Sequence, residues 1–469
     1  MTDRAAVPST PEPAASPWPV FLTASVAVFL ISVDATVLYA AFPALSQAFP
    51  AAPASALSWI LNAYTVVYAV LLVPAGRLAD LYGRKRMFLI GLTLFLLASL
   101  GCGLSGDLWV LTGFRVLQAV GAATLLPASL AVVLGAFAIE RRAIAVSLWG
   151  AISALGAATG PSLGSWLIDL GGWPWAFYLN VPLGMLSVWG AGRLLRSTPP
   201  EGAGLGARLD VIGILLLMAG VGATALGLVQ SESLGWGSAT VVGALLGGVL
   251  SLLLFVWWAR RTDAPAIDLT LFDNATYRFV NLATLSFGMA FSMMFFSYFL
   301  FMSGLWHRTL TEAGVAILPG PLLVMPTSVV AGRVASRLGH RPLLVGGSLV
   351  FAAGALWSVL VPGLTPAYLT DWLPGLLLTG IGTGMVLPSL SAAAVSRLNP
   401  ARFGVGSAIN QAVRQIGTVL GVAVTVALLG HRSPHLTDFR TVFGWEVALC
   451  LITAALCLSV DTRPRQAHT

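Results

Sequence analysis

Long apolar segments separated by short polar loops make up almost the whole chain. An α-helix needs about 20 apolar residues to cross the hydrocarbon core of a bilayer, and fourteen segments approach or exceed that length. They lie near residues 18–43, 57–77, 86–105, 109–136, 143–168, 175–195, 209–230, 238–260, 278–305, 312–335, 342–361, 372–396, 405–430 and 441–460. The pattern predicts an all-α, polytopic membrane protein with fourteen transmembrane helices.

The loops and helices contain an internal repeat. The loop GRLADLYGRKR, Gly76–Arg86, returns about 256 residues later as GRVASRLGHR, Gly332–Arg341. A second pair, LLPASLA from Leu125 and VLPSLSA from Val386, has nearly the same spacing. Membrane proteins built from two related halves are commonly secondary transporters, so we predict two six-helix bundles.

The repeat and the polar segments divide the chain into five parts. We predict a disordered N-terminus at 1–17, a first bundle at 18–195, a linker at 196–277, a second bundle at 278–460 and a tail at 461–469. The linker contributes two helices that belong to neither copy of the repeat. The N-terminal stretch is rich in Pro and Ala and lacks the charged start and cleavage site of a signal peptide.

Composition and charge agree with a membrane location. The chain is 57% hydrophobic and 9% charged, whereas soluble domains carry roughly 25% charged residues. About 20 of the 25 basic residues fall in loops on the side that carries both termini. Positive charge marks the cytoplasmic side, so we expect both termini in the cytoplasm of a bacterial cell and the chain in its inner membrane. The net charge of +7 then needs no nucleic acid partner, because a basic face suits anionic lipid.

Two charged residues lie deep in apolar segments, where a charge is costly and marks function. Asp34 lies about 21 Å from the inner end of the first helix, and Arg115 lies about 9 Å from the outer end of the fourth, at 1.5 Å per residue. In a core of about 30 Å these depths coincide, so we expect the two to pair directly or through water. We expect Asp34 to be the only carboxylate deep in a span. Two interpretations stay open, a titrating carboxyl or a permanent ion pair.

The motifs resemble those of the major facilitator superfamily, and in particular its fourteen-helix drug:proton antiporters. The loop at Gly76–Arg86 resembles the cytoplasmic loop signature of the superfamily. The first and fourth helices match the antiporter signatures at Asp34, Thr36, Ala41, Pro43, Arg115 and Gln118, with Tyr39 where asparagine is usual. The resemblance implies that Asp34 and Arg115 couple transport to protons, and it makes Tyr39 and Gln118 candidates for the substrate cavity.

The fifth helix carries the glycine-rich run GAISALGAATGPSLGSW. Gly156, Gly160 and Gly164 recur every four residues on one face, where glycine allows another helix to approach closely, and Pro161 permits a bend. The run resembles the antiporter motif, which implies a seal in the outer half against the tenth helix. The alternative is ordinary tight helix packing.

The resemblance implies that the loop after the second helix is a conformational latch. Gly76 and Gly83 allow a tight turn, and Asp80 suits the positive end of a helix. The resemblance implies that Asp80 meets the start of the thirteenth helix near 403–407, with Arg84 in the same loop. This contact would hold the two halves together on the inner side.

The thirteenth helix contains the other buried cation. Asn410 and Arg414 are one turn apart and share a face, so we expect them to line the cavity, with helix packing as the alternative. No carboxylate of the second half is an obvious partner for Arg414. His431 and His435 flank Pro434 in a loop and do not predict a metal site.

The sequence shows no nucleophile–base cluster, no metal-ligand spacing and no ATP-binding motif. We therefore expect a transporter and not an enzyme, with no cofactor, powered by an ion gradient. The expected function is export of apolar or amphipathic small molecules in exchange for protons, by a monomer in the lipid bilayer. The alternatives are a specific exporter of one natural product, a proton-coupled nutrient symporter, and a membrane sensor or enzyme.

Overall fold

Helices cover nearly all of the described chain. The computed structural model describes residues 16–195, 210–263, 265–398, 402–429 and 435–462. The α-helices are α1 Trp18–Ala48, α2 Ala54–Leu57, α3 Trp59–Tyr82, α4 Arg84–Gly103, α5 Leu108–Ala136, α6 Ile139–Gly171, α7 Trp175–Tyr178, α8 Asn180–Leu194, α9 Val211–Leu234, α10 Ala239–Ala259, α11 Ala275–Gly304, α12 Leu310–Ile317, α13 Pro319–Leu338, α14 Arg341–Leu360, α15 Leu373–Val395, α16 Phe403–Leu429 and α17 Leu436–Leu458. A 3-10 turn, Leu269–Asp273, precedes α11, and a π-helical turn, Tyr368–Trp372, precedes α15.

The all-α, polytopic architecture predicted from the sequence is confirmed. Within the described residues, 11 helices are long and apolar enough to cross a membrane. The second, fifth and sixth predicted segments are also helical, and within the described residues they include the apolar stretches Trp59–Leu72 of α3 and Leu148–Ala157 of α6. The number of fourteen membrane crossings therefore stays a prediction.

Prolines and helix breaks move several boundaries. The tenth predicted segment is interrupted at Leu318, and Pro319 opens α13, as expected for a residue with no backbone N–H to continue the ladder. The sixth is interrupted at Leu179. The last begins at Leu436, five residues before the predicted start at 441, which changes the depth of every side chain in α17.

The two halves repeat the same helix pairs. In the first half α1 packs along α6 and α8, and α5 packs against α3 and α4. In the second half α11 packs along α16 and α17, and α15 packs against α13 and α14. This correspondence agrees with the duplicated motifs.

The predicted domain boundaries stay predictions. Three stretches lie outside the described residues: the N-terminus to residue 15, the segment 196–209 and the tail from 463.

The two extra helices form a hairpin tied together by a buried acid. Asp210 caps α9 by accepting a hydrogen bond from Gly213 N at 2.8 Å. It also accepts from Trp258 Nε1 and from Ala266 N, each at 2.8 Å. Because these donors lie at the start of α9, the end of α10 and the loop beyond, one carboxylate closes the hairpin. Helix α9 lies against α3 and α16.

Both copies of the repeated loop turn at a glycine in the left-handed region. Gly83 has φ 93° and Gly339 has φ 78°, values that favour glycine over residues with a β-carbon. Each loop is tied to the end of its own half. Lys85 Nζ donates to Leu195 O at 2.6 Å, and His340 N donates to Thr462 Oγ1 at 2.8 Å.

Candidate functional site

The structure brings Asp34 and Arg115 into direct contact. Asp34 lies on α1 and Arg115 on α5, and both side chains are fully buried. Arg115 Nη1 donates to Asp34 Oδ2 at 2.6 Å. The coincidence of depth estimated from the sequence therefore corresponds to an ion pair inside the first half of the protein.

Three further side chains complete a polar cluster around this pair, which we call the Asp34 cluster. Asp34 Oδ1 accepts from Gln118 Nε2 at 2.8 Å and from Asn180 Nδ2 at 3.1 Å. Both amides also donate to Ser99 Oγ, at 2.8 and 3.2 Å. The residues come from α1, α4, α5 and α8, so four helices meet at one carboxylate.

Every neighbour of the Asp34 carboxylate is a hydrogen-bond donor. The guanidinium donates one hydrogen bond to Oδ2 and the two amides donate two to Oδ1. Arg115 is satisfied in turn, because Nε donates to Ile60 O at 3.1 Å and Nη1 donates to Gln118 Oε1 at 2.5 Å. Buried charges are tolerated when they are paired and hydrogen-bonded in this way.

Aromatic rings extend the cluster from Arg115 toward the second half. The guanidinium carbon lies 4.0 Å from the centroid of the Tyr64 ring, in cation–π range. Tyr64 stacks on Tyr68 with centroids 5.8 Å apart and an interplanar angle of 19°. Arg414 of α16 lies within electrostatic range of Tyr68. Helix α3 thus carries two rings between Arg115 and Arg414.

The sequence did not reveal Ser99 and Asn180. Both are single polar residues in apolar helices, and nothing in their local pattern shows which neighbour they face. Asn180 starts α8 at the interruption of the sixth segment, a break that the apolar pattern did not predict.

The candidate cavity residues of the first half lie in packed positions. Tyr39 is buried, and its ring lies 5.6 Å from that of Phe296 on α11, at the contact between the halves. Gln118 is fully buried within the Asp34 cluster. Their proposed contact with substrate stays a prediction.

The glycine face of α6 packs against α1. A β-carbon at Gly156 would lie 2.7 Å from Phe29 O, and β-carbons at Gly160 and Gly164 would collide with the Thr36 and Val37 side chains. These three glycines let α1 and α6 approach closely.

Another face of the same run meets the tenth segment. Ser162 Oγ donates to Gly314 O of α12 at 2.8 Å, and a β-carbon on Gly314 would lie 3.2 Å from Pro161 O. The run therefore joins the two halves through a serine and a proline. Its role as a seal stays a prediction.

The latch residues are only partly described. Gly76 lies inside α3, and Gly83 forms the turn before Arg84 begins α4. Helix α3 packs against α16, which begins at Phe403. The side chain of Asp80 lies outside the described part of the structure, so its proposed contact is untested.

In the second half, Asn410 and Arg414 differ in their partners. Asn410 is buried and donates to Asn281 Oδ1 at 3.2 Å and Thr284 Oγ1 at 2.9 Å, both on α11. Arg414 Nε is a buried donor with no hydrogen-bond partner in the described residues. Arg414 is thus a cation beside α3 with unused hydrogen-bonding capacity.

The expectation of a single deep carboxylate is wrong. Glu446 is fully buried near the middle of α17. The sequence placed it near a membrane surface because the predicted segment started at 441, whereas α17 starts at Leu436. Among the described residues, no group of three or more His, Cys, Asp or Glu side chains is arranged to hold a metal ion.

Comparisons with known proteins agree with this architecture. The model of the Major Facilitator Superfamily matches residues 24–210, 206–422 and 280–469. "Multidrug resistance protein Stp" of Mycobacterium tuberculosis (strain CDC 1551 / Oshkosh) is 33% identical over 405 residues, which are 86% of this chain and 74% of that protein. "Cephamycin export protein CmcT" of Amycolatopsis lactamdurans is 34% identical over 460 residues, 95% of this chain and 94% of that protein.

A solved structure shows the same fold at low identity. The crystal structure of a D-xylose–proton symporter superposes with a TM-score of 0.66 at 14% identity, covering 95% of this chain and 98% of the symporter chain. The family match spans both halves and the linker. The protein is therefore a multi-pass membrane protein that belongs to the major facilitator superfamily of transporters.

Proposed function

We propose that the protein exports apolar or amphipathic small molecules, such as drugs or antibiotics, in exchange for protons. Its relatives named for multidrug resistance and for cephamycin export support efflux as the direction. The main support for proton coupling is the Asp34–Arg115 pair, which is fully buried and linked to three more polar side chains.

The geometry provides a way for one proton to change the conformational preference of the first half. When Asp34 takes up a proton, its charge-assisted bond to Arg115 weakens and Arg115 becomes an uncompensated buried charge. Any conformation that gives Arg115 another partner then becomes more favourable. Proton binding and substrate binding are coupled if both shift the same two-state equilibrium.

The other candidate residues take roles in that equilibrium. Asp80, with Gly76, Gly83 and Arg84, closes the end that carries the termini. The α6–α12 contact at Ser162 and Gly314 closes the opposite end. Substrate binds between the halves, where Tyr39, Gln118, Asn410 and Arg414 are the candidate contacts.

The arginine distribution supports cytoplasmic termini in the plasma membrane of a bacterial cell. Two bundles that move against each other around one substrate site would make a monomer sufficient for alternating access. A narrower function, export of one natural product, is favoured by the match to CmcT over nearly the full length of both proteins.

A resistance panel tests the proposal. The wild-type protein, expressed in an efflux-deficient host, is expected to raise the inhibitory concentration of several amphipathic compounds, or of one class only if the narrower function holds. Asp34→Asn should abolish the protection at equal expression. Asp107→Asn is the matched control, because Asp107 is an exposed helix cap that asparagine can replace. Protection by Asp34→Asn equal to that of wild type would refute proton coupling through Asp34.

A further inference from the structure

Glu446 lies deep in the second half, and no charged side chain among the described residues pairs with it. It is ten residues beyond the start of α17, about 15 Å along the helix. Oε1 accepts a hydrogen bond from Ser297 Oγ of α11 at 3.1 Å. Oε2 has no hydrogen-bond partner in the described residues. The carboxyl is therefore buried with one of its two oxygens unused.

The groups that face Glu446 are neutral. Tyr298 of α11 and Cys450, one turn along α17, are the titratable neighbours. The Tyr298 hydroxyl shares a hydrogen bond of 3.0 Å with Ser358 of α14 and faces Thr379 of α15. No lysine, arginine or histidine of the described parts of α11, α14, α15 or α16 faces the carboxyl. A lone buried carboxylate is costly, so this environment suits the protonated acid.

The two halves place their buried acids among corresponding helices. The Asp34 cluster is built from the first, third, fourth and sixth helices of its half, α1, α4, α5 and α8. The surroundings of Glu446 come from α11, α14, α15 and α17, which are the same four positions of the second half. Each half therefore gathers polar side chains around one carboxyl in its interior.

The repeat also explains why the second acid lacks a cation. The spacing that relates Pro127 to Pro388 in the repeated motif relates Gln118 to Thr379 and Arg115 to Leu376. Leu376 is buried and apolar. The position that corresponds to Arg115 is thus leucine in the second half, and the buried acid of that half lies on its sixth helix, α17, whereas Asp34 lies on the first helix of its own half.

Donors for an ionised form lie nearby. The indole N–H of Trp372 is buried without a partner in the described residues, and the Trp372 and Tyr298 rings are in contact with centroids 4.7 Å apart. Trp372 ends the π-helical turn Tyr368–Trp372, a type of distortion that is frequent at functional sites. The indole N–H is therefore an unpaired donor, among the described residues, on a ring that packs against Tyr298, a neighbour of the carboxyl.

We propose that Glu446 is a second proton-binding carboxyl, which releases its proton during the transport cycle. This rests on the proposed proton-coupled export. The proton leaves the carboxyl oxygen for water and the carboxylate stays behind, with the Ser297 and Tyr298 hydroxyls and the Trp372 N–H as its donors. The protein then has one proton site in each half, with Asp34 paired to a cation and Glu446 among neutral groups.

Infrared spectroscopy of purified protein tests this directly. Carbon-13 labelling of glutamate distinguishes the six glutamates from the twelve aspartates. Wild type should show a protonated glutamate band that is lost in Glu446→Gln and decreases as the pH is raised or substrate is added. Glu312→Gln, which alters an exposed capping residue of α12, should keep the band. Absence of the band in wild type, or a band that responds to neither pH nor substrate, would overturn the proposal.

Proton release provides a second readout. Substrate added to wild-type protein in weakly buffered detergent should release about twice as many protons per protein as it does from Glu446→Gln. Glu446→Asp keeps an acid and should restore part of the release, and it replaces the glutamine variant if that variant does not fold. Equal release from wild type and Glu446→Gln would refute the proposal. Intact proton-driven transport by Asp34→Asn would refute the proposed coupling role of Asp34. The proposal for Glu446 is decided independently, by the infrared band and by the proton release of Glu446→Gln.

Discussion

Removal of Arg115 should show how much the ion pair with Asp34 contributes to the stability of the protein. Arg115→Met keeps a long side chain but leaves the Asp34 carboxylate buried with only the Gln118 and Asn180 amides as donors. Breaking a buried ion pair from one side costs about 3–5 kcal/mol, because the remaining charge is uncompensated. We expect a loss of that size in the free energy of unfolding near neutral pH.

The double variant decides whether the loss comes from the pair. Adding Asp34→Asn to Arg115→Met removes the stranded charge, so about 2–3 kcal/mol of the loss should be recovered. Acidification should reduce the deficit of Arg115→Met, because protonation neutralises the same carboxyl. Unfolding in mixed micelles, measured for both single variants and the double variant, gives the interaction free energy.

An exposed ion pair in the same chain provides the control. Arg308 and Glu312 lie 3.8 Å apart with side chains 41% and 52% exposed. Such a pair contributes less than about 1 kcal/mol, so a cycle of Arg308→Met and Glu312→Gln should give little interaction. If the effects of Arg115→Met and Asp34→Asn simply add, the two side chains do not stabilise each other and the reasoning fails.

Three other substitutions, two of them with a matched glycine control, test local features. Gly160→Ala should destabilise by about 1–3 kcal/mol through its collision with α1, whereas Gly150→Ala, which meets nothing within 4 Å, should be neutral or stabilising by up to about 1 kcal/mol in thermal unfolding. Gly83→Ala should cost about 1–2 kcal/mol from its positive φ, whereas Gly76→Ala should not. Burial lowers the pKa of His340 below 6.5, so the contribution of the neutral imidazole to folding stability is complete above about pH 6.5 and declines below it. His340→Asn should therefore flatten that part of the curve of unfolding free energy against pH. An unchanged curve would contradict this.

The helical architecture could be predicted from the sequence, because the signals for it are long apolar segments and repeated motifs. Apolar length predicted the helices, and the duplicated loop predicted that the two halves pack alike. Asp34 and Arg115 could be paired because depth along a helix is fixed by residue number. Gln118 entered the same cluster from a position one turn away from Arg115.

Rotation about the helix axes could not be predicted in the same way. The spacing of Gly156, Gly160 and Gly164 shows that they share a face, but α1 and α12 both lie beside α6, and only the packing shows which of them that face meets. Glu446 was missed for a different reason. Helix α17 begins with a polar first turn, in which Asp438 accepts a hydrogen bond from the N–H of the cap residue His435, so hydropathy placed its start too late.

The central claim is that a proton bound at Asp34 is exchanged for substrate. Its most direct test is proton movement measured with a pH-sensitive dye in liposomes that contain purified protein, while a substrate gradient is imposed. Wild type and Asp107→Asn should move protons against the substrate flux, and Asp34→Asn should move none while still binding substrate. Substrate-driven proton movement by Asp34→Asn at the wild-type rate would contradict the account.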